Sequence, residues 1–283
     1  MAATAQFVEE QSILLSTPEL GVLCGLLGLT ADIGAEGISE LTRDAGDRVA
    51  VEALRTLAAR GLVVHVDGTP GVQTPVARLV EVVCRPTIRV ELFVRDLPDA
   101  RRARHHYVRA LPDAGVELRE EGAGYRCTPF AAQDLIVRVA ELAGLHGDLA
   151  GTGDAVTVAW GDFVAARAAA VGGDHAGVRA ALAGAAAPAR AVDDLAGALA
   201  GPHRVAAAQL RGRVSPARTE GAEVAWLQSG DRLWRLPTID APFARRRVRP
   251  VDIGDLAVTI TPIDAPTLIR AMGSSLPVDL CNN

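Results

Sequence analysis

The chain has 283 residues, of which 49% are hydrophobic and 22% charged, a balance that excludes an intrinsically disordered protein. The formal net charge is −5, although every positive side chain except the histidines is an arginine. This charge disfavours a protein whose main task is to neutralise nucleic-acid phosphates.

The N-terminal segment has neither the positively charged region nor the apolar region of a secretory signal. The longest uncharged apolar stretch, Leu20–Ala31, is too short to cross a bilayer. Four widely spaced cysteines form no CxxC pair, so we expect buried free thiols instead of a metal site. The sequence therefore predicts a cytoplasmic protein with no membrane insertion.

The first part of the chain reads as a short strand followed by helices and a hairpin. We predict a strand at Ala5–Glu9, a helix that begins near Pro18, and helices at Glu36–Asp44 and Arg48–Arg60. The segment LVVHVDGTPGVQT then predicts two strands joined by an Asp-Gly turn. Three helices and a hairpin are also the order of a winged helix-turn-helix.

A DNA-binding regulator of the winged-helix type is therefore the alternative function. Its phosphate contacts would be Arg43, Arg48, Arg55 and Arg60. The same segment carries acidic residues that would repel DNA, namely Glu36, Glu40, Asp44, Asp47 and Glu52. No helix presents an Arg, Asn and Gln face for base edges, so we expect no nucleic-acid partner.

Two stretches of the chain repeat each other at an offset of 116 residues, Val76–Arg95 and Val192–Arg211. In each, an apolar helical pattern stops before a proline, Pro86 or Pro202, and a β-compatible run follows. The pairs in register are Val76 with Val192, Leu79 with Leu195, Val83 with Leu199, and Val94 with Leu210. This pattern predicts two duplicated halves of about 120 residues, with chance similarity in a biased composition as the alternative.

Between the two repeats, an arginine-rich segment, Asp96–Arg104, predicts an exposed loop between two strands, where binding residues tend to collect. Short antiparallel strands are predicted at His105–Leu111, Gly115–Glu120 and Gly124–Thr128. A helix at Ala131–Leu145 closes the first half.

The second half repeats this plan after a glycine-rich joint. We predict helices at Val156–Ala170 and Ala176–Ala187 and a later helix at Ile253–Thr261, where the β-branched TITPI motif also suits a strand. Further strands are predicted at Arg204–Arg213, Glu223–Gln228, Arg232–Leu236 and Arg245–Arg249. The predicted organisation is a first half over 1–145, a joint over 146–154, a second half over 155–270 and a flexible tail over 271–283, within one continuous fold.

No catalytic constellation is present in the sequence. The chain has no GxSxG elbow, P-loop, HExxH motif or Rossmann fingerprint, so we expect neither an enzyme nor a cofactor. His105 and His106 would point to opposite faces of a strand and cannot share a metal. A small-molecule enzyme of another type is a third hypothesis.

These repeated segments resemble the EspG family, the cytosolic chaperones of mycobacterial ESX (type VII) secretion. The resemblance is carried by VARLVEVVCRPTIRVELFVR with its arginine-rich loop, by LAGALAGPHRVAAAQLRGR, and by the DRLWRLP and RVRPVDIGDL segments. It implies an α+β fold in which pseudo-twofold halves share a central antiparallel β-sheet flanked by two helical bundles.

The resemblance also implies a function in binding. Family members recognise the PPE tip of PE–PPE heterodimers, keep these substrates soluble and target them to their secretion system. The implied contact surface comprises the sheet, the loop between its second and third strands and the C-terminal helical part. Here the matching positions are Arg101, Arg102, Arg104, Phe163, Trp226 and Phe243. The resemblance is also compatible with an analogous type VII substrate as the client, and with a weak homodimer of this chain.

Overall fold

A computed structural model describes residues 12–30, 47–66, 68–97, 104–215, 218–237 and 254–276. These residues form twelve strands: β1 (Ile13–Ser16), β2 (Val63–Val66), β3 (Thr69–Val72), β4 (Ile88–Leu97), β5 (Arg104–Ala110), β6 (Gly115–Glu121), β7 (Gly124–Phe130), β8 (Val156–Ala159), β9 (His203–Ser215), β10 (Arg218–Ser229), β11 (Arg232–Leu236) and β12 (Ala257–Pro262). They also form eight α-helices: α1 (Thr17–Leu26), α2 (Asp47–Ala59), α3 (Thr74–Cys84), α4 (Leu135–Ala143), α5 (Trp160–Val171), α6 (His175–Leu182), α7 (Ala189–Ala200) and α8 (Ala265–Ser274).

Ten of the strands form one sheet in the order β1-β7-β6-β5-β4-β9-β10-β11-β12-β8, and β2 and β3 form a separate hairpin. Every neighbouring pair is antiparallel. The second five strands repeat the first five in reverse order about the central β4–β9 pair. In that pair Leu92 lies opposite Ala208, its own counterpart at the 116-residue offset. A local twofold axis therefore passes through this pair, and the predicted pseudo-symmetric α+β fold is confirmed.

The two faces of the sheet are covered differently. Helices α4 and α8 pack on one face, over a core that contains Leu92, Ala208 and Trp226. On the other face, α1 to α3 cover the strands of the first half, and a separate core forms there around Leu57 and Val116. Helices α5 to α7 cover the strands of the second half around Phe163. The middle of this second face lies between the two helical bundles and is not covered by either.

Helix ends follow the local rules of the sequence. The side chain of Ser16 accepts a hydrogen bond from the Glu19 backbone N–H, and the Glu19 carboxylate accepts one from the Ser16 N–H, which forms a capping box at α1. Helices α3 and α7 end at Cys84 and Ala200, just before the two repeated prolines.

Two intervals that were predicted to be helical contain strands. The interval Val156–Ala170 begins with strand β8, whose β-branched residues pair with β12, Val156 lying opposite Ile260. The predicted helix at Ile253–Thr261 is replaced by strand β12, the alternative that the TITPI motif suggested. The final helix starts later, where the Asp264 side chain accepts a hydrogen bond from the Thr267 N–H at 2.6 Å.

Other predictions have mixed outcomes. Helix α8 runs to Ser274, so the first residues of the predicted tail over 271–283 are helical. Asp255, expected to begin a helix, precedes a strand instead. The predicted strands at Ala5–Glu9 and Arg245–Arg249 and the helix at Glu36–Asp44 lie outside the described residues.

Three cysteines are free and buried, as the sequence predicted: Cys24, Cys84 and Cys127. The Sγ atoms of Cys24 and Cys84 are 3.4 Å apart and join α1 to α3. Cys127 lies on β7 with no exposed surface. Burial raises the pKa of the Cys127 thiol to about 12.

Because a thiol with this pKa is protonated at pH 8, we expect native Cys127 to resist alkylation by iodoacetamide. Mass spectrometry of peptides labelled for a short time should find this site unmodified in buffer and modified in guanidinium chloride. Rapid labelling of Cys127 in the native protein would contradict its position in the core.

Candidate functional site

The uncovered middle of the sheet is the candidate binding surface, and we call it the open face. It consists of alternate residues of the central strands β4, β5, β9 and β10. Side chains of a strand point to opposite faces in turn, so β4 directs its aliphatic residues into the core and its other residues outward. The outward residues of β4 are Arg89, Glu91, Phe93 and Arg95.

An aromatic strip crosses the open face between β4 and β5. It runs from Phe93 through His105 to Tyr107, which is 4% exposed and belongs to the core under α1 to α3. The Phe93 and His105 rings meet edge to face with centroids 6.4 Å apart, and the His105 and Tyr107 rings are 4.2 Å apart. Phe93 is 44% exposed although it stands on a central strand. Burial lowers the pKa of His105, so the strip is uncharged at neutral pH.

Charged residues fix the strand ends next to the loop over 98–103. Arg104 begins β5, and its Nη2 lies 3.5 Å from Asp96 Oδ2 at the end of β4. Arg204 Nε donates to Asp96 Oδ1 at 2.6 Å, and Arg204 Nη1 donates to the carbonyl of Ala143 at 3.2 Å. These bonds tie β4, β5, β9 and the end of α4 together on the face of the sheet that α4 covers.

The C-terminal bundle adds a positive charge beside this end of the open face. Burial lowers the pKa of Arg167 on α5, and the nearby charge of Arg95 lowers it further. The Arg167 Nε is buried and has no hydrogen-bond partner among the described residues. His203 lies close by, and its pKa is lowered by burial and by Arg167. The sheet and the second bundle therefore meet at an electropositive corner.

The predicted contact residues are not brought together. Trp226 is 0% exposed and packs under α4 and α8, and Phe163 is 1% exposed inside the C-terminal bundle. Arg104 has 45% of its side chain exposed. It lies opposite Val94 and pairs with Asp96, so it points to the face that α4 and α8 cover and not to the open face. Arg101, Arg102 and Phe243 lie outside the described residues, and their roles stay predictions.

Sequence reasoning missed the aromatic strip, for which a local signal exists. In the segment VELFV, Val90, Leu92 and Val94 alternate with Glu91 and Phe93. Since the aliphatic residues mark the buried face, Phe93 had to point away from that core. The alternation does not show that Phe93 stays exposed, with none of the described helices covering it.

The described residues contain no group of three or more His, Cys, Asp or Glu side chains placed to hold a metal ion. None of the helices in that part of the chain is long and apolar enough to cross a membrane. His106 is buried, and its Nδ1 is 3.1 Å from Glu117 Oε1. The open face has an aromatic centre and charged residues around it.

Comparisons with known proteins agree with this fold. The chain matches the model of the EspG family over residues 19–231. The search of curated protein sequences finds no match. Among solved structures, the chain is similar to the Mycobacterium tuberculosis type VII secretion system chaperone EspG5, solved in complex with the PE25–PPE41 dimer. The two share 15% sequence identity and superpose with a TM-score of 0.58 over 95% of this chain and 98% of the other. At this identity the likeness concerns the fold.

Proposed function

Because this chain belongs to the EspG family, we propose that it is a cytosolic type VII secretion chaperone for PE–PPE heterodimers. It binds the tip of the PPE subunit, keeps the heterodimer soluble and targets it to the secretion system. The related fold of EspG5, solved with a PE25–PPE41 dimer, supports this client class. Binding and release require no chemistry, so we propose no catalytic activity.

The observation that carries the proposal is the exposure of Phe93 on a rigid central strand. An apolar client tip needs a complementary apolar surface with a polar rim, because burying its apolar area is what prevents aggregation. Phe93 and His105 supply that centre, and Arg95 lies on the same face of β4 as Phe93. We further propose that Arg101 and Arg102, in the segment between β4 and β5, contact the client at this end of the strands.

The winged-helix alternative receives no support from its arginines. Arg60 donates to the Glu19 carboxylate at 2.8 Å and to the Leu14 carbonyl at 2.7 Å. Arg55 is 3.6 Å from Glu52 on the same helix. An arginine engaged with a carboxylate offers a phosphate little net charge, so we do not propose DNA binding.

The test is co-expression of the chain with PE–PPE pairs from its own genome, followed by size exclusion with light scattering. We expect a 1:1:1 complex with one pair. Replacement Phe93→Ser should weaken it by about thirtyfold, which corresponds to a hot-spot loss of about 2 kcal/mol.

Val137→Ser is the matched control, because Val137 is 56% exposed on α4, which packs on the opposite face of the sheet. Equal weakening by both variants, or normal binding by Phe93→Ser, would show that the client does not bind at the open face. If no PE–PPE pair forms a complex, the client assignment fails and the fold is unaffected.

A further inference from the structure

Three arginines stand side by side across the open face. The strand register places Arg89 of β4 opposite Arg109 of β5 on one side and opposite Arg211 of β9 on the other. We call these three residues the arginine row. Neighbouring strands are about 4.8 Å apart, and like charges directly opposite one another destabilise a sheet. The row therefore places three positive charges within two strand spacings, about 10 Å.

The arginine row lines a cavity of about 320 Å³. Its other lining residues are Pro86, Thr87, Glu91, Arg213 and Thr219. Arg109 is 1% exposed, whereas Arg211 and Arg213 are exposed. The cavity therefore has a guanidinium held in its wall and two more at its mouth.

The neighbouring strand is shaped to hold Arg211 in place. Gly221 lies opposite Arg211 on β10, and a Cβ added there would come within 2.5 Å of the Leu210 carbonyl oxygen and 3.0 Å of Arg211 Cγ. A larger residue would push the arginine stem aside, so glycine leaves the space that the side chain occupies.

Most of the charged residues that line the cavity are positive. Four of them are arginines, the row together with Arg213, and one is a carboxylate, Glu91. Arg211 Nη2 donates to Gln209 Oε1 at 3.3 Å, and Gln209 Nε2 donates to Glu223 Oε2 at 3.3 Å. An arginine-rich lining in a chain whose net charge is −5 favours an anion at the cavity.

We propose that the arginine row is an oxyanion site that takes a carboxylate from an acidic side chain of the client. That the carboxylate belongs to the client rests on the function proposed above. Guanidinium groups bind carboxylates in two-point geometry, and Glu91 in the wall favours a monoanion over a doubly charged phosphate. Arg89 and Phe93 are four residues apart on β4, about 13 Å, so one docked segment can reach both.

The first test uses the chain alone, with tetraglutamate peptide as the probe and inorganic phosphate as the competing anion. Isothermal titration calorimetry should detect tetraglutamate binding, and Arg211→Gln should weaken it at least about tenfold. Arg235→Gln is the matched control, because Arg235 is an exposed arginine on β11, paired with Trp226 on the other side of the sheet. Equal effects of both variants, no peptide binding, or preferential binding of phosphate would overturn the proposal.

A second readout separates binding from a structural role. If Arg211 serves binding and does not stabilise the fold, its removal relieves repulsion between the arginines. Arg211→Gln should then leave the melting temperature of the free chain unchanged or raise it by about 1–2 °C at low salt. A clear fall in melting temperature would indicate that Arg211 stabilises the fold through its partners, which would contradict the anion site.

The last step uses the client complex. Arg211→Gln should weaken it, whereas Arg235→Gln should not. If Arg211→Gln binds the client with normal affinity, the client does not supply the carboxylate, and the chaperone function is unaffected. If no PE–PPE pair binds, the chaperone function fails, and the peptide titration still decides whether the site exists.

Discussion

Replacement of Trp226 by alanine is expected to lower the free energy of unfolding by about 3–5 kcal/mol, the range for deletion of a large buried aromatic side chain. Trp226 is fully buried, and it packs with Leu92 and Ala208 near the local twofold axis, under α4 and α8. On β9 the residue directly opposite is the small Ala206, which cannot fill the space on that side. The loss should appear as an earlier midpoint in urea, followed by circular dichroism.

Trp226→Phe is the control for this experiment. It keeps an aromatic ring in the core and removes an indole N–H that has no hydrogen-bond partner among the described residues. We therefore expect a loss of about 1–2 kcal/mol, well below that of the alanine variant. If Trp226→Ala left stability unchanged and abolished client binding instead, Trp226 would be a contact residue, as the family resemblance implied.

Replacement of Glu117 by leucine is expected to cost about 3 kcal/mol, because it leaves buried polar groups without their acceptor. Glu117 is 5% exposed, and its Oε1 is 3.1 Å from His106 Nδ1. Arg138 on α4 donates to Glu117 Oε2 from Nη2 at 2.8 Å and from Nε at 3.2 Å. The figure is at the low end for a broken buried pair, since the Arg138 side chain is 32% exposed and can turn to water.

Glu141→Gln is the matched control. Glu141 is the other carboxylate bound to Arg138, at 3.2 Å, but its side chain is 59% exposed. Exposed ion pairs contribute little, so this variant should lie within about 0.5 kcal/mol of the wild type in urea. Equal losses from both variants would show that burial of Glu117 is not the source of the effect.

The same network predicts a pH dependence. Burial alone would raise the pKa of Glu117, but hydrogen bonds from His106 and Arg138 outweigh it and hold the pKa below its usual value. A carboxyl group with a lowered folded pKa stabilises fully above its unfolded pKa of about 4.3 and loses this contribution as the pH falls through the folded value. The gap in unfolding free energy between wild type and Glu117→Leu should therefore shrink below about pH 4. A gap that stayed constant or widened in acid would contradict the assignment.

Several features of the fold are predictable because their signals are local. The helix–proline–strand unit around Pro86 and its copy around Pro202 follow from sterics within a few residues, and both are present. The short turns between β5, β6 and β7 require antiparallel neighbours, and these strands were predicted within a few residues of their bounds. The 116-residue offset also relates the two central strands, since it matches Leu92 to Ala208, although the offset alone did not predict that these strands pair.

Short strands in the second half were not predictable by the same reasoning. β8 and β12 have only a few residues each, and a four-residue segment such as VTVA before an alanine-rich helix is compatible with either structure. Their strand conformation depends on pairing between Val156 and Ile260, which are far apart in the chain. The local sequence carries no signal for such a distant partner, so helix propensity alone led to the prediction of a longer helix.

For the candidate site, the sequence by itself determined the two strands on either side of the arginine-rich segment, β4 and β5, and an EspG-like plan. Only the tertiary structure decided that Trp226 and Phe163 are core residues, that Phe93 is uncovered, and that Arg109, Arg89 and Arg211 form a row. The reason is strand register: it is set by contacts between distant segments, and a slip of one residue would turn every side chain to the opposite face.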